Sequence, residues 1–291
     1  MMRHLRFHTA VLSFLLLART AGAAGSAILE RAKDLYQKTH YREAVRLLEA
    51  GDDNSADAYA LMGKVYYHLD DYKKATEALE RAIERDPWNS DYYDWLGKVY
   101  GRRAETSSVV TAWSYAGKCR RNFERAIELN PKNLEAIDDL FEYLLNAPGL
   151  VGGGIDKAAA LAERVKDLDP AKYHSLEARL ADKQKDFPRE EKHLLTSLVL
   201  APLHLGRILD MAEYLARRGR YEESEAMFDR ARKVAPENAE LKFERAKTLI
   251  QTGRNRDEAR KLLMEYLNSS LTPDDPPRSE AERLLQEASH S

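Results

Sequence analysis

The chain has a single cysteine, Cys119, among its 291 residues. An intramolecular disulfide is therefore excluded, and a chain of this length can build its core without one. Cys119 comes four residues before Phe123. At the position of Cys119, the packing of paired helices favours a small side chain. A free cysteine behaves as a small, commonly buried apolar residue. We predict a buried, inert thiol, the alternative being a thiol that reacts or pairs with another molecule.

Neither sign of charge dominates the sequence, whose formal net charge at pH 7 is −2. Proteins that hold nucleic acid usually carry a basic stripe, so we predict no nucleic-acid partner. The apolar run over residues 10–18 is far shorter than the roughly 20 residues that a bilayer-spanning helix needs. We therefore expect no transmembrane anchor.

Signatures of catalysis and metal binding are missing too. The sequence has no G-x-S-x-G element and no H-E-x-x-H motif, and no two histidines after residue 23 are four apart. Adjacent carboxylates such as Asp138 and Asp139 diverge by about 100° on a helix, so we interpret them as solvated charges. We predict that the protein is not an enzyme and holds no cofactor or metal. The histidines interpreted as helix-surface residues are His40, His68, His174, His193, His204 and His290.

Prolines, in contrast, recur along the chain. Most of six prolines end a similar stretch of sequence, such as ERAIERDP, ERAIELNP, ERVKDLDP or DRARKVAP. The intervals between successive prolines of the six are 44, 39, 32, 34 and 37 residues. Because proline cannot continue a helix, each one marks the end of a helical unit. The six are Pro87, Pro131, Pro170, Pro202, Pro236 and Pro273.

Within each unit, small and large apolar residues follow a similar order. The unit that ends at Pro87 carries Gly63 and Tyr66 in its first half, and Ala75 and Leu79 in its second, at helical spacings. Small residues recur at the position of Gly63, where paired helices would approach closely, as Gly97, Ala178, Ala212 and Ala246. This pattern resembles the tetratricopeptide repeat, a helix–turn–helix unit of 34 residues. The resemblance implies an all-α, right-handed superhelical solenoid that offers a curved surface to protein or peptide partners.

We divide the chain into a leader, seven helix pairs and a capping helix. Residues 1–23 precede a degenerate first repeat over residues 24–55, and residues 56–273 hold six further repeats. Residues 274–291 hold a linker and a helix that a capping box of Ser279 and Glu282 is predicted to open. The six repeats are predicted over residues 56–89, 90–133, 134–170, 171–204, 205–238 and 239–273.

The third and fourth units exceed the period by 10 and 5 residues. Their helix anchors are kept, so the surplus is predicted at the turn between the paired helices, within residues 101–117 and 146–156. The APG-x-x-GGG turn resembles that of a subgroup of exported bacterial repeat proteins, which implies no defined activity. The glycines lack a phosphate-loop context, so we predict a flexible turn and no anion site. Adjacent units should place both insertions on one edge; this insertion edge comprises Trp113, Leu150, Val151, Gly152, Gly153 and Gly154.

The first 23 residues are typical of an export signal. A basic start with Arg3 and Arg6 precedes the apolar run, and residues 21–23 (AGA) supply a small-x-small cleavage pattern. We therefore expect a periplasmic or secreted protein, the alternative being a cytosolic protein with an apolar N-terminus.

Charged residues one turn apart on the predicted first helices are the candidate binding residues. In the fold that the chain resembles, first helices line a concave groove, and these side chains would form an acidic stretch beside a basic one. The alternative is that they are ordinary exposed charges, each worth little. The paired lysines and asparagines with which the family clamps a partner's C-terminal carboxylate are not reproduced. The predicted groove residues are Asp91, Asp94, Lys98, Glu135, Asp138, Glu142, Lys172, Arg179 and Lys183.

The sequence favours an exported scaffold or adaptor that binds protein segments in this groove. Two alternatives stay open. One is a small-ligand or enzyme-accessory site at the insertion edge, and the other is a mainly structural spacer.

We expect the exported protein to begin near Ala24, because signal cleavage follows a small-x-small pattern. Intact-mass measurement of protein recovered from outside the cytoplasm checks this, and Ala23→Leu should block the processing. Recovered wild-type protein that still contains Met1 would show that the prediction is wrong.

Overall fold

Paired helices make up the described part of the chain. The computed structural model describes residues 26–290, so the predicted signal peptide lies outside the described residues. Within that range there are fifteen α-helices, one short 3₁₀ turn and no strand. The helices are α1 (26–37), α2 (Tyr41–Ala50), α3 (Ala56–His68), α4 (Tyr72–Arg85), α5 (Ser90–Glu105), α6 (Val109–Leu129), α7 (Leu134–Asn146), α8 (Ile155–Glu163), α9 (Pro170–Lys183), α10 (Phe187–Leu200), α11 (Leu205–Arg217), α12 (Tyr221–Val234), α13 (Ala239–Gln251), α14 (Arg256–Leu267) and α15 (Arg278–His290).

Successive helices pack as pairs, because short turns join them and each buries one apolar face. The pairs α3–α4, α5–α6, α9–α10, α11–α12 and α13–α14 are in extensive contact. Helix starts are capped by side chains; Asp71, for example, accepts a hydrogen bond from the backbone N–H of Lys74 at 3.1 Å. The last helix, α15, packs against α13 and α14. The predicted all-α solenoid of helix pairs with a C-terminal capping helix is therefore confirmed.

The chain divides into two compact units, with the boundary between Leu140 and Phe141, inside α7. In unit 1, Tyr59 and Tyr92 belong to one buried apolar cluster. In unit 2, one cluster forms around Leu215 and Phe228 on α11 and α12, and another includes Phe243 and Tyr266 on α13 and α14. None of the helices between residues 26 and 290 is both long and apolar enough to cross a membrane.

Close approach within a pair requires glycine at two positions of unit 1. A Cβ atom added to Gly63 would lie 2.5 Å from Leu79 Cγ, and one added to Gly97 would lie 2.5 Å from two ring carbons of Phe123. Both separations are far below van der Waals contact. The prediction that small residues mark the closest approach of paired helices is confirmed at these two positions.

The surplus of the third unit is helical, which corrects the expectation of a longer turn. Three residues, 106–108, separate α5 from α6, as three residues separate α3 from α4. Instead, α5 has 16 residues against 13 in α3, and α6 has 21 against 14 in α4. These two differences account for the whole surplus of 10 residues, so the insertion lengthens one helix pair beyond its neighbours.

The surplus of the fourth unit does lie in the connection between its helices. The 3₁₀ turn Gly149–Val151 is followed by Gly152, whose φ of 98° is in the left-handed region. A Cβ atom on Gly153 would lie 1.9 Å from the carbonyl oxygen of Ala147. The hydroxyl of Tyr143 donates to the carbonyl oxygen of Val151 at 2.8 Å. These contacts join the turn to the end of α7, and the flexibility of the turn stays a prediction.

Cys119 lies in the interface between α5 and α6. It is 3% exposed, and its Sγ would lie 3.6 Å from a Cβ atom added to Gly101 on the facing helix. Burial raises the pKa of the thiol to about 12, so the reactive thiolate is scarce at neutral pH. The prediction of a buried thiol is confirmed.

The capping helix begins two residues earlier than a capping box at Ser279 would place it. Because α15 starts at Arg278, Ser279 lies within its first turn and is not the N-cap residue. The capping-box prediction of Ser279 with Glu282 is therefore wrong. Ala281, Leu284 and Ala288 form the buried side of this helix.

We predict that Gly97→Ala destabilises the protein while Gly101→Ala, one turn along the same helix, does not. Both changes gain about 0.5–1 kcal/mol of helix propensity, but only the first forces Phe123 to move, which costs about 1–3 kcal/mol. Urea unfolding should therefore place Gly97→Ala about 1–3 kcal/mol below Gly101→Ala. Equal free energies of unfolding for the two variants would contradict the close approach.

Candidate protein-binding face

The first helices of consecutive pairs line one side of unit 1. We call the side formed by α1, α3, α5 and residues 134–140 the first-helix face. α3 and α5 contact each other directly, and a cavity of about 310 Å³ opens where α1, α3 and α5 meet. Its wall includes Lys33, Gln37, Asp57, Lys64, Asn89 and Asp91.

Most charged groups of this cavity already have partners. Lys33 pairs with Glu30 at 2.8 Å, and an oxygen of Asp57 accepts a hydrogen bond from Tyr92 Oη at 2.6 Å. Oδ1 of Asp91 accepts from the Asn133 side chain at 3.1 Å.

Lys64 is the exception. Among residues 26–290 its ammonium group makes no ion pair or hydrogen bond, and its Nζ lies 4.9 Å from the centre of the Trp95 ring. Burial lowers the pKa of Lys64, although the nearby carboxylates of Asp91 and Glu135 oppose that shift. A half-buried cation without an anion in contact is available to an anionic group of a ligand.

Aromatic rings continue the face beyond the cavity. Trp95 meets Tyr67 edge to face, with ring centres 5.6 Å apart, and His68 stacks on Tyr41 at 4.6 Å. Burial lowers the pKa of His68 to about 4, so its ring is neutral at physiological pH. The interpretation of His68 as an ordinary surface histidine is therefore wrong, because its helix turns it into this aromatic group.

Next to Trp95, three carboxylates surround one lysine. Asp94, Glu135 and Asp139, which we call the carboxylate cluster, all contact Lys98. Its Nζ lies 3.3 Å from an oxygen of Asp94, 3.3 Å from one of Asp139, and in direct contact with Glu135. Asp94 is only 2% exposed, and its Oδ1 has no hydrogen-bond partner among the described residues. The cluster thus holds two more negative charges than positive ones when fully ionised.

Burial and mutual repulsion change the acidity of these carboxyl groups. Burial raises the pKa of Asp94 to about 7, with Asp139 and Glu135 adding to the rise and Lys98 opposing it. Burial likewise raises the pKa of Asp139. Interpreting Asp139 as a solvated charge is therefore wrong, because its side chain is partly buried and its carboxylate lies 3.3 Å from Lys98 Nζ.

The carboxylate cluster also has the spacing of a cation site, since one oxygen from each member lies within 4.8 Å of the others. Lys98 already supplies a positive charge to all three members. Burial lowers the pKa of Lys98, but Asp94 and Asp139 outweigh burial and raise it overall.

Four of the nine predicted groove residues lie together in unit 1, and they are Asp91, Asp94, Lys98 and Glu135. Asp138 lies half-buried beside them on α7. In unit 2, Glu142 forms an ion pair with Arg179. Lys183 donates to the Asn146 side-chain oxygen at 2.9 Å, and Lys172 lies half-buried in the first turn of α9.

The insertion-edge residues are divided between the two units, and their contiguity stays a prediction. Trp113, on α6 of unit 1, is 57% exposed, and Leu150, in the 3₁₀ turn of unit 2, is 85% exposed. Val151, Gly152 and Gly154 are half-buried, and Gly153 is buried.

Sequence reasoning missed Lys64 and Trp95. Trp95 lies four residues after Asp91 and three before Lys98, so helical spacing could have placed it on the same face. Lys64 lies in the second repeat, which was not counted as part of the predicted groove. Its position at the cavity depends on a neighbouring helix pair, so it could be found only by including the second repeat in the groove.

Comparisons with known proteins address the family. The tetratricopeptide-repeat family models match residues 56–89 and 209–276. Both units therefore contain tetratricopeptide repeats. Its fold is similar to that of a tetratricopeptide repeat protein from Parabacteroides merdae ATCC 43184, with 12% identity, a TM-score of 0.59, and coverage of 92% of this chain and 100% of that one. A thermophilic repeat protein from Thermus thermophilus gives 18% identity, a TM-score of 0.51, and coverage of 70% and 100%.

A curated relative matches over a short stretch. The rhomboid protease GluP of Bacillus subtilis (strain 168) is 31% identical over 81 residues, which are 27% of this chain. The match spans only 16% of the length of that relative. It therefore carries no activity over to this repeat protein.

We predict that Asp94→Asn alters how stability depends on pH. Folding raises the pKa of Asp94 from 3.8 to about 7, so between those values the unfolded chain releases a proton that the folded chain keeps. The stability contributed by the protonated group is full below about pH 4 and is lost as the pH rises to about 7. Relative to the asparagine variant, the wild-type protein should lose stability across that window and then level off.

Urea unfolding of both proteins between about pH 4 and pH 8 measures this difference. Asp91→Asn, which removes an exposed carboxylate from the same helix, is the matched control for the loss of one negative charge. If the difference in free energy of unfolding between the wild type and Asp94→Asn did not change with pH, the proposed cost of ionising Asp94 would be contradicted.

Proposed function

We propose that this tetratricopeptide-repeat protein is an exported scaffold that binds an extended protein segment on the first-helix face of unit 1. The observation that carries the proposal is Lys64, a half-buried cation at the wall of a cavity, with no ion-pair partner among residues 26–290. A buried charge is costly unless it is paired. An acidic side chain of a bound segment would supply the missing partner.

The neighbouring chemistry suits a peptide chain. Trp95 and Tyr67 offer aromatic surface for apolar side chains, and Asn89 and Gln37 in the cavity wall can exchange hydrogen bonds with a backbone. Such a mixture of apolar surface and a few placed polar groups is common in ligand sites.

The carboxylate cluster adds selectivity to this face. Glu135 is largely exposed, with 64% of its side chain accessible, while Asp94 below it is buried. A basic side chain on the segment would therefore be attracted to Glu135. Electrostatic complementarity of this kind mainly sets association rate and selectivity, so binding should weaken as salt rises.

Export is the second part of the proposal and rests on residues 1–23. Their basic start, short apolar run and small-x-small ending are the features of a cleaved signal. The partner should then be a periplasmic or extracellular protein.

We predict that Lys64→Met weakens partner binding by about tenfold or more, because the segment would leave its own anion unpaired. Immobilised wild-type protein should capture the partner from the exported fraction of the producing cells, and titration of that partner gives both dissociation constants. Methionine keeps the length and packing of the lysine stem, so the helix content and melting temperature should change little.

Lys73→Glu is the control, since Lys73 is exposed on α4, a second helix, and it should bind as wild type does. Wild-type affinity in Lys64→Met would overturn the proposed face. Loss of binding in both variants would point to a general effect of charge.

A further inference from the structure

Two histidines that are distant in sequence meet inside one helix pair of unit 2. His174 on α9 and His193 on α10 face each other with their Nδ1 atoms 2.9 Å apart. Their ring centres are 5.0 Å apart, and the rings are inclined by 44°. Treating these two residues as separate helix-surface histidines is therefore wrong.

The separation of the two nitrogens fits metal coordination. Imidazole nitrogens bind transition metals at about 2.0–2.1 Å. Two such nitrogens at a right angle around one ion are about 2.9 Å apart, whereas tetrahedral positions are about 3.4 Å apart. The observed distance matches neighbouring positions of a square-planar or octahedral ion, the geometry that Cu²⁺ and Ni²⁺ adopt with nitrogen and oxygen ligands.

The surroundings keep both rings available as ligands. A neutral imidazole is the form that binds a metal. Glu177 is itself paired with Arg189 at 2.5 Å, so it neutralises that arginine and is not counted as a ligand.

We propose that His174 and His193 form a two-imidazole site for Cu²⁺ or Ni²⁺, with water completing the coordination. Both side chains are half-buried, so water reaches the site. Without metal, one neutral ring donates its Nδ1 proton in a hydrogen bond to the other. On binding, that proton moves to Nε2 of the same ring, and both Nδ1 lone pairs face the ion, with no net change in protons.

The test uses full-length, untagged protein and the metal ions alone, titrated by calorimetry. Four proteins are compared: the wild type, His174→Gln, His193→Gln and His204→Gln. Metal binding by histidines that are not substituted is common to all four, so a difference between them reports on the substituted residue. Each of the first two changes should remove one metal equivalent or weaken it by more than about tenfold. His204→Gln, in the same unit, should bind as wild type does, and affinity should follow Cu²⁺ > Ni²⁺ > Co²⁺.

A second readout separates a site from a loose surface contact. Because the metal would join α9 to α10, saturating Ni²⁺ should raise the melting temperature of the wild type and not that of His193→Gln. The electron paramagnetic resonance spectrum of the Cu²⁺ form should show coupling to two equivalent nitrogens. Equal metal stoichiometry and affinity in the wild type and in both single variants would overturn the proposal, as would a one-nitrogen copper spectrum.

Discussion

The close approach of two helices within a pair is the constraint on which the rest of the structure depends. Where Gly97 meets Phe123 and Gly63 meets Leu79, there is no room for a Cβ atom. Such contact buries the apolar faces of a pair but leaves each pair with a further face that only its neighbour can cover. Stacking pairs therefore follows from the same small residues, and the first helices are brought side by side.

Side-by-side first helices bring polar groups into the stack. Lys98 reaches from α5 to Glu135 and Asp139 on α7, while Asp94 on its own helix becomes almost fully buried. Removing a carboxylate such as Asp94 from water is unfavourable unless a cation compensates, and the single lysine beside it is shared with two further carboxylates. The same packing leaves Lys64 beside Trp95 without an anion. The groups that suit binding are thus the ones that the stack leaves incompletely paired.

Local spacing made the repeats predictable, and long-range register did not. Small residues at Gly63 and Gly97 and the burial of Cys119 follow from contacts within one repeat. The contacts of Lys98 with Glu135, and of His174 with His193, join residues 37 and 19 apart, and no short motif encodes them. The surplus of the third unit was assigned to a turn because the apolar anchors of both helices are kept, and anchor spacing does not show how far a helix extends beyond them. In the structure α6 begins at Val109, and Ser108 takes the N-cap position.

The two proposed sites depend on different levels of this architecture. The cavity at Lys64 requires α1, α3 and α5 to keep their register across three consecutive pairs. The histidine contact requires only α9 and α10, which three residues join. The stability of a repeat protein is a sum of contributions from single repeats and from the interfaces between them. Weakening one interface between helix pairs in unit 1 would therefore disrupt the cavity, while α9 and α10 would keep their own contacts. The proposed peptide site is therefore a property of the stack, and the proposed metal site is a property of a single pair.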